Sequence, residues 1–410
     1  MRDSAGLSPD FAVPHGARLS LRAGAYYNRP ALPEAPNERP ARIVTDLPWS
    51  LAGLMARIGP VDDAAMRRAA TRQGVLTKPP GSLGRLEEVA ARLAGMFGTA
   101  RPAIGGKAVI VAAGDHGVVA QGVTGYPQSV TGQMVRNFLE GGAAINVLCR
   151  LGGVRRIVVD AGVASDPPPE HPDLRSLRMG PGTGDITLGP AMTRRQAVLC
   201  LEYGAGLASE VIADGADLVA TGDMGIGNTT PSSAIAAAMT GKHPVETTGE
   251  GTGRSAEELL RKTAVVETAL EVNSPDPGDS IDVLAKVGGF EIAVLAGVVL
   301  GTAAERRAVV LDGFISGAAA LIAHGLSPAC RDYLIASHRS AEKGHRAVLA
   351  HMRLDPLLDL AMRLGEGTGA VLAMGIVEAA AACLTEMATF EEAGVSDRPD
   401  NDAVAEEAEG

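Results

Sequence analysis

Aromatic residues make up only 3% of the 410-residue chain, so large rings cannot fill its interior. With 51 glycines and 46% hydrophobic residues, the chain has to pack Ala, Val, Leu and Ile around many tight turns, which suits an α/β core. Cysteine is scarce as well. Cys149, Cys200, Cys330 and Cys383 lie far apart with no C-x-x-C spacing, which excludes the usual zinc and redox motifs. They read as small buried apolar residues in a reducing compartment. Positive charge is in deficit, 37 Lys and Arg against 48 Asp and Glu, so no basic stripe is available for a nucleic-acid backbone. Arg194-Arg195 and Arg306-Arg307 read as solvated helix ends. No long uninterrupted apolar run marks a membrane span, since Glu291 to Ala304 is too short. The N-terminus, beginning Met1-Arg2-Asp3, has no apolar core of a signal peptide. A cytoplasmic protein without nucleic-acid or membrane partners is expected.

What is present is a repeated strand, loop, helix rhythm. Apolar runs suited to buried parallel strands occur at Ala108 to Ala113, Arg156 to Asp160, Asp217 to Thr221, Ala308 to Leu311 and Tyr333 to Ala336. Thr193 with Gln196, and Ser255 with Glu258, have the spacing of capping boxes that start helices between them. The pattern predicts an α/β fold, a mainly parallel sheet with helices on both faces, in residues 101–340. Residues 46–100 and 341–395 read as helical, including Pro356 to Leu364 and Ala370 to Thr389, and are expected to meet as a smaller helical domain. Residues 1–45 carry six prolines and no period, which predicts a disordered arm, and residues 396–410 form an acidic tail.

The chemistry is expected in the loops after the strands, where ligands of such sheets bind. Gly222-Asp223-Met224-Gly225-Ile226-Gly227-Asn228-Thr229-Thr230 leads from a strand into a helix starting at about Pro231. Such a turn presents free backbone N–H groups to an anion, although a tight turn alone would use the same glycines. The pentapeptide Gly-Glu-Gly-Thr-Gly occurs twice, at 249–253 and 365–369. The first follows a polar stretch and reads as a connector. The second lies between two apolar helices, where a carboxylate between glycines can approach a ligand, so Glu366 is the candidate base. An acid serving only the helix dipole would look the same. His116, His338 and His345 lack metal-ligand spacing, and Ser129 and Ser340 lack the G-x-S-x-G elbow. Neither a metal nor an acyl-enzyme is expected.

Taken together, Thr77-Lys78-Pro79-Pro80-Gly81-Ser82-Leu83-Gly84, Ala113-Gly114-Asp115-His116-Gly117-Val118, Tyr126-Pro127-Gln128-Ser129-Val130-Thr131, Gly225-Ile226-Gly227-Asn228-Thr229-Thr230, Ser337-His338-Arg339-Ser340-Ala341-Glu342 and Arg363-Leu364-Gly365-Glu366-Gly367 resemble the nicotinate-nucleotide:dimethylbenzimidazole phosphoribosyltransferase family. The resemblance runs in one order from about residue 55 to about 395. It implies a homodimer with a Rossmann-like large domain and a small helical one, needing no cofactor. It also implies transfer of 5-phosphoribosyl from nicotinate mononucleotide to 5,6-dimethylbenzimidazole with inversion, giving α-ribazole 5′-phosphate for the lower ligand of cobalamin. By the same resemblance Glu366 is the general base. Phosphate and ribose would rest on Gly225, Ile226, Gly227, Asn228, Lys262 and Ser340, and the base on Tyr126, Gln133 and Arg363. Lys262 would equally serve as an exposed helix lysine. The family commonly has Glu where this chain has Asp223, one methylene shorter, which makes Asp223 an auxiliary catalytic candidate. Two other classes compete: a nucleotide-binding regulatory module that has lost turnover, and a dinucleotide-dependent oxidoreductase, which lacks its G-x-G-x-x-G fingerprint in this loop.

Overall fold

Short runs of Val, Ile and Ala that are apolar on both faces suit strands covered on both sides. A computed structural model of the chain, describing residues 50–249 and 256–397, contains six strands. They are β1 (Lys107–Gly114), β2 (Arg155–Gly162), β3 (Leu174–Ser176), β4 (Leu218–Met224), β5 (Ala308–Leu311) and β6 (Leu334–Ala336). All pair in parallel, in the order β3-β2-β1-β4-β5-β6. The chain therefore runs outward from β1 to β3, then returns to lay β4 against the other side of β1. That reversal opens a crevice at the carboxyl ends of β1 and β4, where such sheets take ligands. Expectations for residues 1–45, for the tail beyond 397, for the Ser255 cap and for most of the 249–253 run fall outside the described residues.

Several boundaries differ from the sequence reading, each for a visible reason. β4 extends through Gly222, Asp223 and Met224, which were expected in the loop, because β1 runs on beside it and pairs Ala112 with Asp223 and Ala113 with Met224. The short edge strand β3 was not expected, having no apolar run to announce it. Residues 76–84 break the N-terminal helical region. Pro356 to Leu364 is not a helix. Pro356 disfavours a helical residue before it, and the backbone here bonds alongside β6: Leu357 N–H to Ala336 O at 3.1 Å, Leu358 N–H to Ser337 O at 2.9 Å, and Arg339 N–H to Leu358 O at 2.8 Å. The Thr193 capping box forms as expected, Gln196 N–H donating to Thr193 Oγ1 at 3.2 Å and Thr193 N–H to Gln196 Oε1 at 3.0 Å.

The Phe290–Ala304 helix is buried along its whole length, consistent with its being apolar all round. It lies against the Arg194–Ala213 helix so closely that a Cβ on Gly204 would fall on the Val294 carbonyl, and one on Gly297 on the Leu201 carbonyl. In a free helix Gly→Ala gains about 0.5–1 kcal/mol. Here the backbone-to-backbone contact leaves no rotamer to absorb the methyl, so Gly297→Ala is expected to lose about 1–3 kcal/mol in urea unfolding. A gain in stability would show that the helices are not in contact at this point.

The Asp63–Val75, Arg85–Phe97 and Thr368–Glu386 helices pack on one another, and Leu76 forms an antiparallel bridge to Thr389. Arg72 closes the end of the last helix by donating to Leu384 O at 2.8 Å and Met387 O at 2.9 Å. By length and composition Thr368–Glu386 is the one described helix that meets the requirements for crossing a membrane, but it is packed against β4, β5 and its helical neighbours. It carries the candidate base at its amino end.

Candidate active site

The loop after β4 shows why its glycines are needed. A Cβ on Gly225 would strike the Gly114 carbonyl at the end of β1, and Gly227 sits at φ +90° with its Cβ position 2.7 Å from Val119 Cγ2. Ile226 N–H donates to Thr131 Oγ1 at 3.1 Å, and that hydroxyl donates to Asp115 Oδ1 at 2.7 Å. Asp115 Oδ2 accepts Ala164 N–H at 2.8 Å, so the loop is tied through two side chains to the end of β1. Burial raises the Asp115 carboxyl above its usual range, against the pull of the Ala164 and Thr131 hydrogen bonds.

This loop opens the Thr229–Thr240 helix, and its first turn faces a cleft. The cleft's other walls include Gly313, Phe314 and Ile315, which open the Phe314–Leu326 helix, then His338, Ser340 and Glu342 after β6, and Val123, Thr124 and Tyr126. Two helix amino ends thus meet at one space, and Lys262 joins them. Only 3% of Lys262 is exposed, and its Nζ donates to Thr229 Oγ1 at 2.7 Å, which rules out a plain surface lysine. Two helix dipoles and an ammonium favour an anion such as phosphate. Ser340 is fixed by its own N–H, which donates to His345 Nδ1 at 3.1 Å. Burial drops the His345 imidazole to about 3, so that nitrogen stays free to accept.

Asp223, on the wall of this cleft, and Glu366, behind it, carry buried carboxyls. Asp223 accepts from Asn228 Nδ2 at 3.0 Å through Oδ2, while Oδ1 is buried without a protein partner among the described residues. Burial, and then the Asp312 charge, push the Asp223 carboxyl well above the usual range. Glu366 lies between Gly365 at φ +81° and Gly367 at φ +86° and is itself left-handed at φ +65°. Its N–H donates to Asp223 O at 3.1 Å. Its carbonyl lies 2.6 Å from where a Gly222 Cβ would be, so Gly222 must be glycine for the turn to settle on β4. Burial raises the Glu366 carboxyl, opposed by a hydrogen bond from the Ile145 backbone, and Oε2 has no protein partner among the described residues.

The structure brings Asp223, Gly225, Ile226, Gly227, Asn228, Lys262, Ser340, Tyr126 and Arg363 onto one cleft. It does not place Glu366 or Gln133 on that wall. Glu366 is buried one residue behind Gly365, and Gln133 is exposed on the Ser129–Glu140 helix. Sequence reasoning missed Asp312, whose carboxylate accepts the N–H groups of Gly367, Gly369 and Ala370. Its one signal was an Asp-Gly pair closing an apolar strand. Also missed was the ion pair beneath the loop, His116 Nε2 to Glu291 Oε1 at 2.9 Å, with both side chains buried.

A family model described as "Phosphoribosyltransferase" matches residues 58–395. The nicotinate-nucleotide–dimethylbenzimidazole phosphoribosyltransferase of Roseiflexus sp. (strain RS-1) is 58% identical over 351 residues, covering 86% of this chain and 99% of the relative. The enzyme of the same name from Desulforudis audaxviator is 55% identical over 340 residues, covering 83% and 96%. Among solved structures, the corresponding enzyme of Thermus thermophilus superposes with a TM-score of 0.78 at 48% identity, over 82% of this chain and 100% of that one.

Proposed function

We propose that this chain, which belongs to the nicotinate-nucleotide–dimethylbenzimidazole phosphoribosyltransferase family, transfers 5-phosphoribosyl from nicotinate mononucleotide to 5,6-dimethylbenzimidazole. The products are α-ribazole 5′-phosphate, used for the lower ligand of cobalamin, and nicotinate. The observation that carries the reading is the meeting of two helix amino ends and buried Lys262 with Asp223 Oδ1, which has no protein partner among the described residues.

The reaction asks for little more than this. Nicotinate leaves as a neutral pyridine ring from a pyridinium, so its departure needs no proton. The attacking benzimidazole nitrogen uses its lone pair to form the new bond to C1′, while the N–H on the same ring gives up its proton. Glu366 takes that proton. Inversion requires the two rings on opposite faces of the ribose, so holding the nucleotide by its phosphate supplies much of the rate. Gly225 to Asn228, Lys262 and Ser340 are assigned to that grip, Tyr126 and Arg363 to the incoming base. Asp223 is the auxiliary carboxylate, and its unpartnered oxygen supports a contact to the nucleotide.

The purified chain is expected to release nicotinate and α-ribazole 5′-phosphate in equal amounts, with a metal chelator present. Absence of product, with thermal stabilisation by nicotinate mononucleotide retained, would instead leave a non-catalytic binding module. Homodimerisation belongs to the same reading, supported by Val147 and Leu151, exposed one turn apart on the Ala144–Gly152 helix. So do a cytoplasmic location and the division into residues 46–100 with 341–395 and residues 101–340.

A further inference from the structure

The Thr368–Glu386 helix starts without a cap of its own, because the residue at its N-cap is Gly367. Its first N–H groups have no local side chain to accept them. The acceptor comes instead from the end of β5, 55 residues away in sequence. Asp312, 1% exposed, takes Gly367 N–H on Oδ2 at 3.1 Å, and Gly369 and Ala370 N–H on Oδ1 at 2.8 and 3.1 Å. Asp312 stands against the carboxylates of Glu366 and Asp223, and against His338, whose Nδ1 is 3.8 Å from Oδ1. No lysine or arginine forms an ion pair with it among the described residues. Its counter-charge is the helix amino end itself.

Glu366 is the residue immediately before this cap. Its own N–H is held by Asp223 O, and the next N–H, that of Gly367, is held by Asp312. One bond on each side therefore fixes a left-handed glutamate that would otherwise relax, since a side chain makes φ +65° costly.

We infer that Asp312 is a positioning residue for the transfer: by accepting the N–H groups of Gly367, Gly369 and Ala370 it holds Glu366 where the acceptor's proton is delivered. The inference rests on Glu366 being the base of the proposed reaction. Burial pushes the Asp312 carboxyl up to about 7 in spite of the three N–H bonds, so the anion sits there at an energetic cost that an uncharged polar residue would avoid.

Asp312→Asn tests this, because the amide oxygen can still accept from Gly369 and Ala370 while its NH₂ meets the Gly367 N–H, donor against donor. The expected result is a kcat lower by about 10²-fold with KM for nicotinate mononucleotide near the wild-type value, since displacing a reacting group by about 1 Å costs that much. Asp312→Glu, which keeps the charge, serves if the first variant does not fold, and is expected to show a smaller loss of kcat with the same unchanged KM. A wild-type kcat in either folded variant overturns the inference, as does a rise in KM alone. Measuring Glu366→Gln alongside separates the two levels. If that variant is slow and Asp312→Asn is not, only the positioning role fails. If Glu366→Gln is near normal, or the wild-type chain makes no product, the reading beneath it fails too.

Discussion

Glu366→Gln is expected to lower kcat by about 10²–10⁴-fold, the usual contribution of a general base, and to leave KM for nicotinate mononucleotide close to wild type. The amide has the same shape but cannot accept a proton at neutral pH. Glu366 is also set behind Gly365 and off the wall of the cleft where the phosphate is assigned, so nucleotide binding does not lean on its side chain. The same geometry gives a pH signature. Burial raises the Glu366 carboxyl above the ordinary glutamate value of 4.5, so the protonated, inactive form persists to higher pH than in an exposed glutamate. Wild-type kcat should fall as pH drops through that raised value, and the residual rate of the glutamine variant should lack this acid limb. Steady-state kinetics across pH would show both. A near-normal rate in the variant would move the base elsewhere, with Asp223 the first alternative.

The second large effect is on stability. His116→Ala is expected to cost about 3–5 kcal/mol, because it strands the Glu291 carboxylate in the core at 0% exposure. The pair is tightly enclosed: the Gly289 Cβ position is 2.6 Å from both Glu291 Oε2 and His116 Cε1, and that of Gly114 is 2.8 Å from Glu291 Oε2. Replacing both partners, as His116→Leu with Glu291→Met, should recover most of the loss, since it removes the uncompensated charge. Burial opposes charge on His116, but attraction to Glu291 and the hydrogen bond it donates to that carboxylate outweigh it and raise the imidazole above 6.5. A raised histidine stabilises fully below the unfolded value and loses that contribution as pH rises through the folded one. Wild type and His116→Ala should therefore differ most in denaturant midpoint at pH below the unfolded value, and less once pH has passed the raised folded value. An equal difference in both ranges would mean that the pair carries no ionic stabilisation.

What could be read from the sequence divides along physical lines. The sheet was legible because strands buried on both faces leave continuous apolar runs, and the loop from Gly225 to Asn228 because glycines mark close approach. Local rules failed where a distant partner decided the outcome. Asp223 belongs to β4 since β1 extends to meet it. Pro356 to Leu364 is not helical since Ala336, Ser337 and Arg339 take the backbone groups of Leu357 and Leu358. The burial of Lys262 depends on Thr229, 33 residues earlier in the chain, which its helical pattern does not reveal. Asp312 and the His116–Glu291 pair were invisible for the same reason: nothing near them in sequence announces a partner 55 or 175 residues away.

All six strands point the same way, and that leaves the molecule with two unequal rims. The carboxyl rim carries the cleft lined by Asp223, Gly225 to Asn228 and Ser340, while the turns that lead into β2 and β4 lie on the amino rim. Gly153 and Gly215, in turns leading to β2 and β4, are exposed with open space beside them. Gly153 and Gly215 themselves sit at φ +62° and +103°, which favour glycine, so variation on that rim has room in loop length more than at these two positions, without touching the other side of the sheet.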